Sequence, residues 1–262
     1  MIDVKIARRH ELREGETAWP TIALCLAALA LQVAAALYAP LWASVLVGSA
    51  CAYAQFTVAH DATHGALSKR EWLNTLFGYA ATLVLFGPYE ALKRNHLHHH
   101  AHTNDPKEDP DFWVSRPFLL FRCLTQLARH YWCFFARPKR LDGSFWRSMA
   151  TLAAMAVLLG SFPAPLFWHW FLPAQLGGAA LAFSFDYWPH RPHTGRGRLK
   201  DTASIDVRWF DPLFLNQNIH LLHHLFPTIP WYRYRPAWTE LLPQVRAAGG
   251  LVWDLRTALR ML

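Results

Sequence analysis

Two long stretches of this chain carry no charge. No Asp, Glu, Lys or Arg occurs over residues 17–60 or over residues 148–185. A helix needs about 20 consecutive apolar residues to cross a bilayer. Each stretch is therefore long enough for two crossings, turning near Ala39-Pro40 in the first and near Pro163-Ala164-Pro165 in the second. The expected fold class is an all-α integral membrane protein with four transmembrane helices arranged as two hairpins, and a cytoplasmic helical cap. Two buried hairpins of a soluble protein are the alternative, and charge-free runs of this length weigh against it.

The rest of the composition follows from that frame. The 26 Lys and Arg fall before residue 17, between 61 and 147, and after 185. Two hairpins return the chain to its starting side each time, so these segments share one face. The positive-inside rule makes that face, with both termini, cytoplasmic. The net charge of +8 then reads as topology and contact with anionic lipid headgroups, not as nucleic-acid binding. The apolar run after Arg8 and Arg9 is too long for a cleaved signal peptide. Cys25, Cys51, Cys123 and Cys133 form no CxxC pair and are expected to stay reduced. No repeat or linker divides residues 1–262, which read as one domain. Residues 73–89 are also apolar, but Gly87-Pro88 interrupts them. A fifth crossing would place the basic loop 93–147 outside, so a re-entrant or interfacial helix is expected. Residues 118–135 mix apolar and basic side chains and are expected to lie on the membrane surface.

Histidine is concentrated at the ends of these stretches. HDATH places His60 and His64 at i, i+4, on one helical face. HLHHHAH sets His96, His99 and His100 on one face and His98 and His102 on the other. HLLHH repeats the i, i+3, i+4 pattern with His220, His223 and His224. All three groups fall on the predicted cytoplasmic side. Eight converging neutral imidazoles exceed what one tetrahedral ion needs. They suit two metal ions, and imidazole favours Fe, Zn, Cu and Ni over Mg or Ca. His190 sits at the exit of the fourth crossing as His60 does for the second, and is expected as a ninth ligand. His98 is expected to face solvent or support a ligand, and His193 to lie in a surface loop. His10, His130 and His169 are expected to be structural or interfacial.

Polar neighbours of the clusters are candidates to orient the imidazoles. These are Asp61, His102, Asp105, Asp109, Asp111, Asn216 and Asn218, although the three later aspartates also suit acidic turns around Pro106 and Pro110. Aromatic residues Trp72, Phe77, Tyr79, Phe86 and Tyr89 are candidates for a substrate entrance or an interfacial belt. Phe226, Trp231, Tyr232 and Tyr234, after the third cluster, are candidates to shape a pocket near the metals.

The words HDATHG, HLHHHAHTNDPKEDPDF, FDYWPHRP and NQNIHLLHHLFPTIPWYRY resemble the histidine boxes of the membrane fatty-acid desaturase superfamily. The flanking residues are most similar to its carotenoid-modifying branch, the cyanobacterial-type β-carotene hydroxylases and the related ketolases. The resemblance spans residues 55–240; no similarity is evident before residue 50. It implies two iron ions, O2, and electrons from an external donor such as a ferredoxin. It also implies that His60, His64, His96, His99, His100, His190, His220, His223 and His224 are the ligands.

The expected reaction is hydroxylation of the β-ionone ring of β-carotene, toward zeaxanthin, at the carbon meta to the polyene, with the substrate entering from the bilayer. No haem, flavin or four-cysteine iron–sulfur signature occurs, so electrons must come from a partner. Lys93, Arg94, Arg137, Lys139 and Arg140 offer a docking face for an acidic donor or a contact for lipid. A β-carotene ketolase and a fatty-acyl lipid desaturase remain as rivals on the same scaffold. A histidine-rich zinc-binding membrane protein is disfavoured, because the crossings hold only His169. No HExxH motif occurs, which excludes that class of metalloprotease.

Overall fold

The computed structural model describes residues 2–136 and 141–262. A short helix, α1 (Val4–His10), is capped by Asp3, whose carboxylate accepts from the Lys5 amide. The first charge-free stretch forms α2 (Trp19–Tyr38) and α3 (Leu41–Thr63). Pro40 separates them, since proline offers no amide with which to continue a helix. Both helices are long and apolar enough to cross a membrane.

The second stretch differs from expectation. It forms α7 (Gly143–Ser161), a break at Phe162, then α8 (Pro163–Leu166), a π turn (Phe167–Phe171), α9 (Leu172–Leu181) and a second π turn (Ala182–Tyr187). Among the described residues only α2 and α3 are unbroken, apolar helices of spanning length. Two spans meet that measure, and the expected four are not all found by it. Arg147 lies in the second turn of α7, and the π turns divide the helical path from Pro163 to Tyr187 into short pieces. Those pieces still pack on the first hairpin. A side-chain carbon added at Gly177 of α9 would lie 2.7 Å from the Ser49 carbonyl oxygen and 2.8 Å from Ala52 Cβ. Only glycine allows that approach. His169 is pinned at the crossing, with Ser44 Oγ 2.7 Å from its Nδ1 and Gln32 Nε2 donating to its carbonyl at 3.1 Å. Its role is structural, as expected.

Helix α4 (Glu71–Val84) packs along α3. The chain reverses at Phe86, whose φ is 57°, into α5 (Tyr89–His102). The reversal lays the Tyr89 ring on Gly78, where an added Cβ would collide with it. A 3₁₀ turn (Pro110–Ser115) leads to α6 (Leu119–Phe135), which shows Leu120, Phe121, Leu124 and Trp132 to its surroundings.

The remaining chain forms the cap: β1 (Ala203–Ile205), α10 (Phe210–Leu213), α11 (His220–Leu225), a 3₁₀ turn (Trp231–Arg233), α12 (Tyr234–Ala247), β2 (Leu251–Trp253) and α13 (Leu255–Arg260). The strands pair in parallel, Ala203 with Leu251 and Ile205 with Trp253. The all-α reading is therefore corrected by one small sheet, whose three-residue strands are too short to leave a period in the sequence. The Trp238 and Tyr234 side chains, both fully buried, anchor the core of the cap beneath α11.

Candidate metal centre

Three helices deliver the imidazoles. The last turn of α3 carries His60 and ends at His64. The second half of α5 carries His96, His99 and His100, and α11 carries His220, His223 and His224. His190 follows the second π turn. All nine gather in two groups, within each of which the candidate ligand atoms lie within 4.8 Å of one another. The first group is His60, His64, His96, His100 and His223; the second is His99, His190, His220 and His224.

The division follows helical spacing. Side chains four apart stand one above the other on a helix. The i, i+4 pair of α5, His96 and His100, joins the first group, and the intervening His99 joins the second. Helix α11 reverses the assignment: His220 and His224 join the second group and His223 the first. The sequence placed each trio on one face but did not show that the trio would be shared out.

The contacts fit a cation in each group. Nε2 of His223 lies 2.9 Å from Nε2 of His60 and 2.8 Å from that of His100. Nε2 of His96 lies 2.8 Å from that of His64 and 3.1 Å from that of His100. In the second group the Nε2 atoms of His190 and His224 lie 3.0 and 3.2 Å from that of His220. A metal–nitrogen distance of about 2.0–2.1 Å with right-angled ligands sets neighbouring nitrogens roughly 2.9–3.0 Å apart. Hydrogen bonding accounts for these contacts poorly. An imidazole nitrogen carries one proton or one lone pair, so the single His100 Nε2 cannot donate well to both His96 and His223. Lone pairs converging on a positive ion satisfy every nitrogen together.

Protonation agrees with that chemistry. His96, His100, His190, His220, His223 and His224 are all pushed well below the ordinary histidine value, by burial first and by neighbouring imidazoles second. They are neutral at pH 7, the form that binds metals. His99 is the exception. Burial disfavours its charge, but the carboxylates of Asp109 and Asp111 overcome burial and raise it to about 10. Its Nδ1 lies 2.8 Å from Asp109 Oδ1 and 3.2 Å from Asp111 Oδ2. A metal ion at Nε2 would displace the second proton and leave Nδ1–H on the carboxylates, the carboxylate–histidine arrangement. His223 is held by a weaker partner, the Tyr234 hydroxyl, 3.0 Å from its Nδ1. His190 Nδ1 lies 3.2 Å from the Asp201 carbonyl.

The other expected neighbours stand elsewhere. Asp61 turns away from the imidazoles, accepting from Thr21 Oγ1 at 2.9 Å and from the Trp231 amide at 3.3 Å. It ties α2 and the cap to α3. Asp105 caps its own turn through the Lys107 and Glu108 amides and pairs with Arg196. His102 bonds back to the His98 carbonyl, and His98 meets Glu108. Asn218 donates to the Ile205 carbonyl and to Asp211, bracing the loop before α11. Asn216 occupies a left-handed turn, φ 60°, with its amide on the Asp211 carbonyl. His193 is buried beneath the Tyr187 ring instead of lying on the surface.

A cavity of about 750 Å3, its open mouth included, runs beside the first group. Its walls are apolar, including Phe56, Leu85, Leu92, Leu127 and Leu181, and His96 lies in its lining. The expected pocket residues do not line it. Trp72 is exposed, Phe77 and Tyr89 pack in the α3–α4 core, Phe86 meets Trp170 at a tilt and Phe171 edge-on, and Phe226 packs in the cap. The half-buried Trp231 gives its amide to Asp61. The error was one of neighbours: Leu85, Gly87 and Pro88, within the same stretch, do line the cavity. His130, expected to be structural or interfacial, meets Gln126 and Asp186 at one side of it, two residues the sequence did not single out. Asp186, the first charge after the second apolar stretch, was the available signal. Of the basic residues expected to dock a partner, Lys93 sits 5.9 Å from the Tyr89 ring and Arg94 pairs with Asp142. Arg137, Lys139 and Arg140 lie outside the described residues.

A helical scaffold that draws nine imidazoles from four places in the chain into two adjoining groups defines a class: histidine-box proteins able to hold a pair of metal ions. The comparison with known proteins makes the class a family. Residues 35–256 match the fatty acid desaturase family model, and the chain belongs to that family. It is 30% identical over 215 residues to a β-carotene ketolase of Haematococcus lacustris, an alignment covering 74% of this chain and 58% of the ketolase. It is 26% identical over 252 residues to the sn-1 oleoyl-lipid 12-desaturase of Picosynechococcus sp., covering 78% of this chain and 70% of that one. The zeaxanthin 4-ketolase of Chlamydomonas reinhardtii is 28% identical over 187 residues, covering 68% of this chain and 39% of the ketolase. The chain thus spans under two thirds of the length of the ketolases it matches.

Proposed function

We propose that this protein is an O2-dependent di-iron oxygenase that hydroxylates the β-ionone ring of a carotenoid. One observation carries the reading: the apolar cavity ends against His96, a member of the first imidazole group. A hydrocarbon ring can lie there with a C–H bond beside the metal position and with water excluded by Phe56, Leu85 and Leu181. Two irons held by the nine imidazoles would supply the oxidant, drawn from O2, that side chains cannot provide. The balanced reaction turns one C–H and one O2 into C–OH and water, consuming two electrons and two protons. An external donor, an acidic ferredoxin-like protein, supplies the electrons.

The chain's own residues do the positioning. Asp109 and Asp111 fix the His99 ring, and Tyr234 fixes His223. Asp61 holds the cap on α3 so that α11 reaches the site. In this reading the Pro163–Tyr187 path and α7 complete a four-crossing topology, with the metal centre and both termini cytoplasmic. The carotenoid, insoluble in water, enters from the bilayer.

The relatives support a second reading. Ketolases introduce a keto group on the same scaffold, which requires oxidising one ring carbon twice. The oleoyl-lipid desaturase supports a third, removal of two hydrogens from an acyl chain. Expression in a β-carotene-accumulating host, with pigment and lipid analysis, decides among them. Hydroxylated pigment is expected; keto pigment or new acyl double bonds would replace the reading with a rival. Two irons per purified chain are expected, and zinc in their place would remove the oxygenase reading altogether.

A further inference from the structure

Two neighbouring glycines of α9 stand in opposite surroundings. Gly177 is demanded by packing, since a Cβ there would strike α3. Gly178 is not. A Cβ built on it meets no atom within 4 Å, and its backbone is that of an ordinary helix interior. Neither a close approach nor a left-handed φ calls for glycine at 178. Glycine inside a helix nevertheless costs stability relative to alanine, because it orders a freer chain. The fold alone therefore gives no reason for it. The cavity gives one. Gly178 lines it, and so do Ala174, Leu181 and Ala182, at i−4, i+3 and i+4. Those positions share one face of a helix. A side chain at 178 would accordingly grow into the cavity, in the same space that His96 borders.

We propose that Gly178 sets the width of the cavity, and so decides which shape of substrate end can reach His96. An unbranched acyl chain needs only a narrow channel. A six-membered ring bearing methyl groups is wider, and a wall without a side chain leaves room for it. An isobutyl group at this position would fill that room and leave passage for a chain but not for a ring. Interiors are packed closely enough that such an insertion is felt. The inference rests on the oxygenase reading above and names, within it, the residue that admits a cyclic end. It makes Gly178 a specificity-determining residue that acts by the space it leaves, with no part in holding metal.

The test is a binding competition read without turnover. Purified protein in mixed-lipid vesicles is offered equal amounts of β-carotene, which ends in rings, and an acyclic carotenoid of the same carbon number. It is then re-isolated and its pigment extracted. Wild-type protein is expected to retain the cyclic pigment at least as well as the acyclic one; the reverse preference would overturn the proposal. Gly178→Leu is expected to lower the cyclic-to-acyclic ratio about tenfold. An unchanged ratio would overturn it. Gly178→Ala adds a single carbon and is expected to lower the ratio about threefold. It should also raise the thermal midpoint, because a better helix former replaces a glycine that packing does not need. A lowered midpoint would return Gly178 to a structural role and overturn the proposal. The alanine variant decides if the leucine variant fails to fold. Turnover of both pigments is measured separately. A ratio that shifts as expected while wild-type protein oxidises neither pigment would sink the oxygenase reading and leave the width assignment standing.

Discussion

The two imidazole groups are built from the same helices but supported in different ways. The first has five nitrogens, and its anchored ring His223 rests on a phenol. The second has four, and its ring His99 rests on two buried carboxylates. The first borders the cavity through His96, while the second is braced by the NDPKEDPD turn. An anionic partner makes a ligand imidazole more basic and fixes its tautomer. The difference teaches that the two metal positions are not interchangeable. In the proposed reading one would face substrate and the other would hold its ion firmly.

Removing ligands tests this most severely. His99→Ala leaves three nitrogens in the second group and is expected to abolish turnover and cost about one metal ion per chain. His100→Ala leaves four in the first group and is expected to abolish turnover while retaining more metal. Metal analysis of both variants would break the comparison if their losses were equal. The supports come next. Asp109→Asn is expected to lower metal affinity or activity about 10- to 100-fold. Tyr234→Phe should cost less, a few-fold, since a neutral hydroxyl polarises its imidazole weakly. A reversed order would show that the carboxylates serve the turn and not the ring.

Metal-free protein gives a pH signature. His99 is raised to about 10 from an ordinary 6.5. Its contribution to stability is therefore complete below pH 6.5 and is lost as pH climbs toward 10. The neutral imidazoles act oppositely, holding full stability above 6.5 and losing it as pH falls. Thermal unfolding of stripped protein in detergent is expected to show a decline on the alkaline side that His99→Gln removes. A decline that persists in His99→Gln would assign it to another group. The smallest effect is expected from His98→Ala, which should leave metal content unchanged, because His98 faces Glu108 and not the ligand groups.

How much of this was readable depended on whether local spacing or distant packing did the work. The first hairpin was legible because an uncharged run and a proline act locally. The imidazole clusters were legible because i, i+3 and i+4 spacing projects side chains together on a helix. Their division into two groups was not, since it depends on how α5 and α11 meet. Asp61 illustrates the same limit: beside His60 in sequence, it reaches Thr21 and Trp231 instead. His130 and Gln126 lie on α6 with no motif, and only the approach of the second π turn brings Asp186 to Gln126. The π turns after Leu166 and Leu181 left no pattern in an evenly apolar stretch.

The reach of the first imidazole group has a consequence for biosynthesis. His60 meets His223 across 163 residues of chain. A ribosome will have released the first hairpin long before α11 exists. Until then His60 and His64 lack the partner ring that completes their set, and the second group lacks both its pair from α11 and its closure on His190. Metal loading is therefore expected to be a late event, following the synthesis of His224. Nascent chains stalled before that point should take up little metal, however much is supplied.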